Sequence, residues 1–213
     1  MNKSSSEWSN RQKSLNYLKC VESFPYRKEG DTVLLQHIPE NAVRILDIGA
    51  GDGQLIRKIK ESSHRSDVEF VALDISPVML ESLKDNFVND TRVKVIEHDL
   101  DDSLPDLGYF DAIISSFVIH HLRHRRKYSL YEEIYDMLNP TGVFCNLEHV
   151  SSISTRLQTK FLSLTGMLPC QEDKTNRLLS VEKQLQMLRD VGFIEADCLW
   201  KWYELALLIG FKN

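Results

Sequence analysis

The stretch Asp47-Ile48-Gly49-Ala50-Gly51-Asp52-Gly53 decides the fold, because it joins an apolar run to a helical pattern. Residues 43–48 are the apolar run, which predicts a buried strand, and residues 55–60 predict the helix that follows. Glycines at such a turn permit a tight bend and let a ligand approach the backbone closely. The stretch therefore predicts a ligand-binding loop, and a structural turn that holds no ligand is the alternative.

The glycine spacing in this loop is GxGxG. Gln54 stands where the dinucleotide fingerprint GxGxxG has its last glycine. This departure disfavours a pyrophosphate-binding loop and, with it, an NAD-dependent oxidoreductase.

Apolar runs alternate with helical patterns through the rest of the chain. Strands are predicted at 68–73, 93–96, 110–115 and 142–147, and helices after Pro77, at 128–138 and at 181–191. Two last strand-like runs, 193–200 and 202–211, are too close together for a parallel crossover. We therefore expect an α/β fold with a Rossmann-like, doubly wound, seven-stranded sheet, mostly parallel with an antiparallel C-terminal hairpin.

Two segments are expected to add to this core. Residues 1–39, with helical patterns at 11–22 and 30–38, are predicted to form a helical segment or lid over the main domain, residues 40–213. A helical insertion is predicted at about 151–180, with an apolar face formed by Leu157, Phe161, Leu164 and Met167. That face indicates burial in the core, or alternatively a wall of the substrate site.

The composition excludes several classes of protein. A formal net charge of −5 disfavours broad nucleic-acid binding. The basic run 123–127 indicates a solvated helix start, or alternatively a contact with an anionic substrate or RNA phosphate. The absence of a membrane-length apolar run and of a signal sequence predicts a cytoplasmic protein. Four scattered cysteines without a CxxC pair predict neither a disulfide framework nor a metal site.

Two aspartates follow the second and third predicted strands. Asp74 is placed to accept both hydroxyls of a ribose, although an aspartate near a helix N-terminus, before Pro77, is the alternative. Asp99 is placed to accept a hydrogen bond from an adenine amine, although the neighbouring Asp101 and Asp102 also suit a solvated acidic loop.

Taken together, the glycine loop, Asp74, His98-Asp99-Leu100 and the run 110–122 (FDAIISSFVIHHL) resemble the class I S-adenosylmethionine (SAM)-dependent methyltransferases. The similarity is greatest to their small "type 11/12" group and covers about residues 40–150. It implies SAM as the cofactor and S-adenosylhomocysteine (SAH) as the product. It also implies a cofactor site made of Asp47, Gly49, Ala50, Gly51, Asp74, Ile75, Asp99, Leu100, Ser115 and Phe117.

Methyl transfer from SAM is an in-line displacement, and a general base assists it when the acceptor must lose a proton. Four side chains near predicted strand ends are candidate bases: His120, His121, Glu148 and His149. Helix capping and packing are the alternative roles for all four.

Acceptor binding is expected from two places in the sequence. Tyr17, Tyr26 and Arg27 belong to the predicted lid, and Trp200, Lys201 and Trp202 place two indoles around a cation near the C-terminus. We expect an enzyme acting on a small molecule, whether as a monomer or as a homodimer. The alternatives are a tRNA- or nucleoside-modifying enzyme, a carboxy-SAM-forming enzyme, and a non-catalytic SAM-binding module.

Overall fold

The computed structural model describes residues 25–62, 67–166 and 173–213. Its elements, in chain order, are helix α1 (Arg27–Gln36), strand β1 (Arg44–Ile48), α2 (Gln54–Ser62), β2 (Glu69–Asp74), α3 (Pro77–Asn86), β3 (Val93–Glu97), β4 (Phe110–Ser116), a 3₁₀ turn (Ile119–His121), α4 (His124–Met137), β5 (Leu138–His149), α5 (Thr155–Thr165), α6 (Val181–Val191), β6 (Ile194–Trp202) and β7 (Leu205–Phe211). None of the helices described is long and apolar enough to cross a membrane.

The strands form one seven-stranded sheet in the order β3-β2-β1-β4-β5-β7-β6. The first five strands are parallel, whereas β7 runs antiparallel to both β5 and β6. This arrangement confirms the predicted sheet with its C-terminal hairpin. The chain winds outward from β1 to β3 and then restarts on the other side of β1 with β4, so a cleft opens between the carboxyl ends of β1 and β4.

Helices cover both faces of the sheet, which explains why its central strands are continuous apolar runs. On one face, α4 and α6 bury side chains such as Leu130, Ile134 and Leu188 against the sheet. On the other face, α1 and α2 bury Leu34 and Ile56. The polar side chains at the carboxyl edge are therefore held by strands that are anchored from both sides.

Several predicted boundaries are wrong by a few residues, for identifiable reasons. The helix predicted at 30–38 begins earlier, at Arg27, after Tyr26 in a left-handed conformation. Strand β5 begins at Leu138 instead of 142, because Leu138 pairs with Phe110 in β4. Trp202 belongs to β6, and the hairpin turns at Tyr203, which has a positive φ of 50°.

The domain boundaries at 39 and 40 and the lid role of the first segment stay predictions, and Tyr17 lies outside the described residues. The insertion contains α5, but its apolar face differs from the predicted one. Phe161 and Leu162 are buried, whereas Leu157 and Leu164 are 39% and 43% exposed. Met167 lies outside the described residues.

Candidate functional site

The cleft at the switch point between β1 and β4 gathers most of the residues that the sequence predicts for a cofactor site. All of them except Ser115 line the cleft: Asp47, Gly49, Ala50, Gly51, Asp74, Ile75, Asp99, Leu100 and Phe117. Three further lining residues come from α1, from α3 and from the 3₁₀ turn: Arg27, Met79 and His121.

The glycine loop has the backbone geometry that its sequence indicates. Gly49 has a φ of +70°, and a Cβ there would lie 2.3 Å from Cγ2 of Val118. Gly51 has a φ of +58°, and its missing Cβ faces open space, with Met79 Sδ at 4.0 Å as the nearest atom. Gly49 therefore allows close packing within the protein, whereas Gly51 leaves room for a ligand.

Asp74 lies at the start of a helix, as one of its two predicted roles requires, and it also lines the cleft, whereas its contact with a ribose stays a prediction. Its Oδ2 accepts a hydrogen bond of 2.8 Å from the Gly51 amide, and its Oδ1 accepts one of 2.8 Å from the amide of Ser76, the residue that precedes α3. Burial raises the pKa of Asp74, and hydrogen bonds from the Ser76 and Gly51 amides oppose that rise. The carboxylate thus ties the glycine loop to the start of α3 while it lines the cleft.

Asp47 presents a buried carboxylate at the base of the cleft. It is 1% exposed, and its Oδ2 has no hydrogen-bond partner among the described residues. Burial, together with the nearby charges of Asp74, Asp52 and Asp31, raises the pKa of Asp47 to about 8. A cationic group entering the cleft would supply the counter-charge that the protein does not, and the ammonium and sulfonium of SAM are such groups.

The far end of the cleft is formed by the segment after β3. Asp99 lies in a tight turn in which its Oδ1 accepts a hydrogen bond of 3.0 Å from the Asp101 amide. His98 also lines the cleft, with a buried Nε2 that has no hydrogen-bond partner in the described part of the chain. The sequence analysis includes His98 in the motif that carries the resemblance but not among the predicted cofactor-site residues, although its place directly before Asp99 at a strand end was a usable signal.

The opposite end of the cleft is formed by the end of β4. The Ser115 hydroxyl is buried and donates to the Ile48 carbonyl over 3.1 Å, so it binds the sheet. Ser116 lines the cleft instead, because alternate residues of a strand point to opposite faces. The guanidinium of Arg27 lies 4.8 Å from the centre of the Phe117 ring, which brings a cation to this end.

The four candidate bases lie together, but only His121 lines the cleft. His120 Nδ1 lies 2.7 Å from Oε1 of Glu148, and the rings of His120 and His121 are 4.0 Å apart. His149 contacts the edge of His120, and its Nε2 lies 3.0 Å from Oε2 of Glu204. The structure therefore places a buried polar cluster directly behind the wall of the cleft.

Burial dominates the electrostatics of this cluster. It lowers the pKa of His120 well below its ordinary value, and the charges of His149 and Lys127 act in the same direction. Burial also raises the pKa of Glu148, and the charge of Lys127 opposes that rise. The His120 ring is consequently neutral at neutral pH. It could accept a proton only if a nearby negative charge, such as that of ionised Glu148, stabilised the imidazolium.

The basic run 123–127 is not a simple solvated face. Lys127 is 1% exposed and donates a hydrogen bond of 2.5 Å to the Ile119 carbonyl at the start of the 3₁₀ turn. Arg126 binds the Leu100 carbonyl over 2.6 Å and both oxygens of Glu133. Both side chains hold neighbouring segments in place, so the predicted solvated helix start is wrong for them.

The remaining predicted acceptor residues lie away from the cleft. Tyr26, Trp200, Lys201 and Trp202 are not part of its described lining. The rings of Trp202 and Tyr26 stack at 4.3 Å, and Lys201 donates to the Tyr203 carbonyl. Trp200 and Trp202 pack against a small apolar cluster that contains Phe161, so both indoles have a packing role.

Within the described residues, no group of three or more potential metal ligands is arranged to hold a metal ion. The absence of a metal site stays a prediction.

Comparison with known proteins shows which proteins this chain resembles. A sequence model of the methyltransferase domain matches residues 46–144, which span the glycine loop to β5. The fold resembles an O-methyltransferase family protein from Burkholderia thailandensis, with a TM-score of 0.76, 15% identity, and coverage of 99% of this chain and 63% of that one. The match to the methyltransferase-domain model bears out the predicted similarity to the class I SAM-dependent methyltransferases, and the solved structure confirms the predicted fold.

The chain is also similar to one curated protein in sequence and to another solved structure in fold. Carboxy-S-adenosyl-L-methionine synthase of Nautilia profundicola is 22% identical over 207 residues, which cover 89% of this chain and 87% of that protein. Human N-acetylserotonin methyltransferase in complex with SAM has a TM-score of 0.69 and 17% identity, with coverage of 97% of this chain and 57% of that one. The chain thus spans about three fifths of the two solved structures and most of the synthase.

Proposed function

We propose that this chain transfers the methyl group of SAM to a small molecule. The observation that carries the proposal is the buried Asp47 carboxylate, which faces a cleft at the switch point of the sheet and has an oxygen without a partner among the described residues. The net charge of −5 favours a small acceptor over a polyanionic nucleic acid.

The residues of the cleft would align the two reactants. SAM, when bound, supplies a methyl group that its sulfonium already activates. In this proposal the amino-acid portion of SAM would lie in the open space at Gly51, beside Asp47, and the Asp74 carboxylate would accept the ribose hydroxyls. Holding the acceptor in line is worth about 7–11 kcal/mol of the barrier, so alignment carries most of the catalysis.

Proton removal is assigned to the histidine cluster beside Phe117. His121 lines the cleft and would therefore be the candidate base nearest to an acceptor bound there, whereas His120 and Glu148 are not part of the described lining. A general base is worth about 10²–10⁴-fold when the acceptor must lose a proton.

The test is incubation of purified protein and methyl-labelled SAM with a small-molecule fraction of cell extract, in parallel with an RNA fraction treated or untreated with nuclease. We expect label in a small molecule, and an Asp47→Ala variant is the control for enzyme-dependent transfer. Nuclease-sensitive label would instead identify a tRNA- or nucleoside-modifying enzyme. If no fraction becomes labelled, the protein would be a non-catalytic SAM-binding module.

One observation favours carboxy-SAM formation as a second candidate. Such an enzyme needs a cation for the added carboxylate, and Arg27 lines the cleft at its Phe117 end, whereas Lys201 lies outside the described lining. The synthase from Nautilia profundicola covers most of the chain. Mass spectrometry of the nucleoside after incubation with extract separates the two functions, because carboxy-SAM carries the mass of one added carboxyl group and SAH lacks the methyl group.

A further inference from the structure

His121 is held by a chain of hydrogen bonds that begins far away in the sequence. Its Nδ1 lies 2.9 Å from Oγ1 of Thr175, and that hydroxyl donates to Oδ1 of Asp173 over 2.7 Å. The Thr175 amide donates to the same Asp173 oxygen over 2.9 Å. Thr175 is 7% exposed, so this connection is made inside the protein.

The direction of these bonds determines the tautomer of His121. A threonine hydroxyl has one proton, and an ionised carboxylate can only accept, so the Thr175 proton goes to Asp173. The same hydroxyl must then accept a hydrogen bond from His121, which requires the proton of the neutral ring to be on Nδ1. In that tautomer the Nε2 atom carries the lone pair.

The segment that carries Thr175 is itself attached to the 3₁₀ turn. The Arg177 amide donates to the His120 carbonyl over 2.8 Å, and the Ser151 amide donates to the Leu179 carbonyl over 2.9 Å. The loop before α6 is therefore tied both to the turn that carries the histidines and to the end of β5. Thr175 and His121 keep their relative positions because their backbones are connected.

We propose that Asp173 and Thr175 are positioning residues that hold His121 as its Nδ1–H tautomer, so that Nε2 accepts a proton from the methyl acceptor. This inference rests on the proposed function. It also narrows the acceptor to one whose nucleophilic atom carries a removable proton, such as a hydroxyl group.

The proposed reaction needs no group other than SAM, the acceptor hydroxyl and His121. The bond from the acceptor oxygen to the methyl carbon forms as the bond from that carbon to sulfur breaks, and sulfur keeps the electron pair. The hydroxyl proton passes to Nε2 of His121, which becomes an imidazolium with its Nδ1–H directed at Thr175. Release of that proton to water restores the neutral ring.

The tautomer can be measured without knowledge of the acceptor. The full chain is labelled with ¹⁵N-histidine, saturated with SAH and studied by NMR at about pH 8, where an imidazole of ordinary pKa is neutral. A His121→Gln variant assigns the His121 signals among the seven histidines. We expect the signature of a proton on Nδ1 and a lone pair on Nε2.

Substitution of Thr175 distinguishes positioning from a purely structural role. Thr175→Val removes the hydroxyl at nearly constant volume, so we expect a shift of the His121 population toward the Nε2–H tautomer. Thr175→Ser keeps the hydroxyl and should restore the original signature. SAH affinity should be unchanged in both variants, because Thr175 is not part of the described lining of the cleft.

Two results would overturn the inference: an Nε2–H tautomer in the unsubstituted protein, or an unchanged Nδ1–H signature in Thr175→Val. A methyl-transfer assay gives the second readout, with about a tenfold or greater loss expected in Thr175→Val and recovery in Thr175→Ser. If the tautomers respond as expected but no methyl transfer is found in any variant, the proposed function fails and the positioning role stands.

Discussion

The charge of Asp47 depends on what the cleft contains. In the ligand-free protein, burial first and the neighbouring carboxylates second raise its pKa to about 8, so at pH 7 the group is mostly protonated. A bound cation favours the ionised form and lowers that pKa. Binding of SAM at neutral pH should therefore drive a proton from Asp47 into solution.

Isothermal titration calorimetry of SAM binding in buffers of different ionisation enthalpy measures this proton. We expect release of up to about one proton per SAM at pH 7, and a decline toward zero as the pH rises well above 8. In Asp47→Asn the release should vanish and the affinity should fall by about tenfold or more. Asp85→Asn, the same substitution at an exposed helix position, is the control. Equal proton release in Asp47→Asn would refute this role.

At the scale of the elements, glycine is required for different reasons at two positions of the glycine loop: at Gly49 for packing and at Gly51 for ligand space. Gly49, Gly51 and Gly166 all have a φ between +58° and +70°, so alanine costs about 1–2 kcal/mol of backbone strain at each. At Gly49 the added carbon would also overlap Val118, whereas at Gly166 nothing lies within 4 Å. The three positions therefore form a matched series.

Urea denaturation and SAH titration of the three alanine variants test this series. Gly49→Ala should lose about 3 kcal/mol or more of unfolding free energy, and Gly166→Ala only the backbone cost of about 1–2 kcal/mol. Gly51→Ala should be as stable as Gly166→Ala but should bind SAH at least tenfold more weakly. Normal SAH affinity in Gly51→Ala would mean that the ligand does not approach this part of the loop.

The 3₁₀ turn that carries two of the four candidate bases, His120 and His121, is held by a buried amine. Lys127 donates to the Ile119 carbonyl, and burial lowers its pKa to about 8 although the charge of Glu148 opposes that change. Between about pH 8 and 10.5 the unfolded chain binds a proton at this lysine that the folded protein has released. Stability contributed by this group therefore rises with pH in that window.

The unfolding free energy should consequently have a component that increases by on the order of 3 kcal/mol between pH 8 and 10.5, and Lys127→Met should lack it. The difference between the two proteins is the useful quantity. Other groups, such as the Cys145 thiol with its pKa raised to about 12, contribute with the opposite sign above about pH 9. Lys84→Met, at an exposed position of α3, is the control. A constant difference between the unsubstituted protein and Lys127→Met would contradict the prediction.

Periodicity predicted the elements well where one physical rule dominates. The central strands are apolar because helices cover both faces, and α6 is found at Val181–Val191 as predicted, between a serine that caps it and Gly192. The prediction of a solvated helix start failed at Lys127, because a basic run normally indicates a solvated face but this side chain is buried. Thr175 and Asp173 were missed because only the folded chain brings their loop to His121.

On the scale of the whole molecule, the residues proposed to bind the cofactor follow from sequence, and those proposed to meet the acceptor do not. Asp47, Asp74 and the glycines lie at ends of neighbouring parallel strands, so local motifs converge at one edge of the sheet. The end of the cleft that we propose for the acceptor combines Arg27 of α1 with His121 and the loop around Thr175. Such contacts between distant segments leave no periodic pattern in a single sequence.

SAH binds the folded protein, so it should raise the free energy of unfolding, and we expect this effect to depend on the contact with Asp74. At SAH concentrations of about 100 times Kd, binding adds about 2.7 kcal/mol, which raises the Tm of a protein of this size by roughly 5–10 °C. NADH should produce no comparable rise, because Gln54 breaks the dinucleotide fingerprint. Differential scanning fluorimetry measures these shifts directly.

Asp74→Ala should abolish the SAH-induced rise in Tm, but it also removes two hydrogen bonds to backbone amides and lowers the Tm of the ligand-free protein. Asp111→Ala is the matched control. Its Oδ2 accepts from the amides of Val43 and Arg44 over 2.8 and 3.0 Å, at the opposite edge of the sheet. Both variants should therefore begin from a lower Tm, while only Asp111→Ala should recover 5–10 °C on addition of SAH, as estimated from the ligand-linkage relation. A full SAH response in Asp74→Ala would show that Asp74 does not bind the ribose.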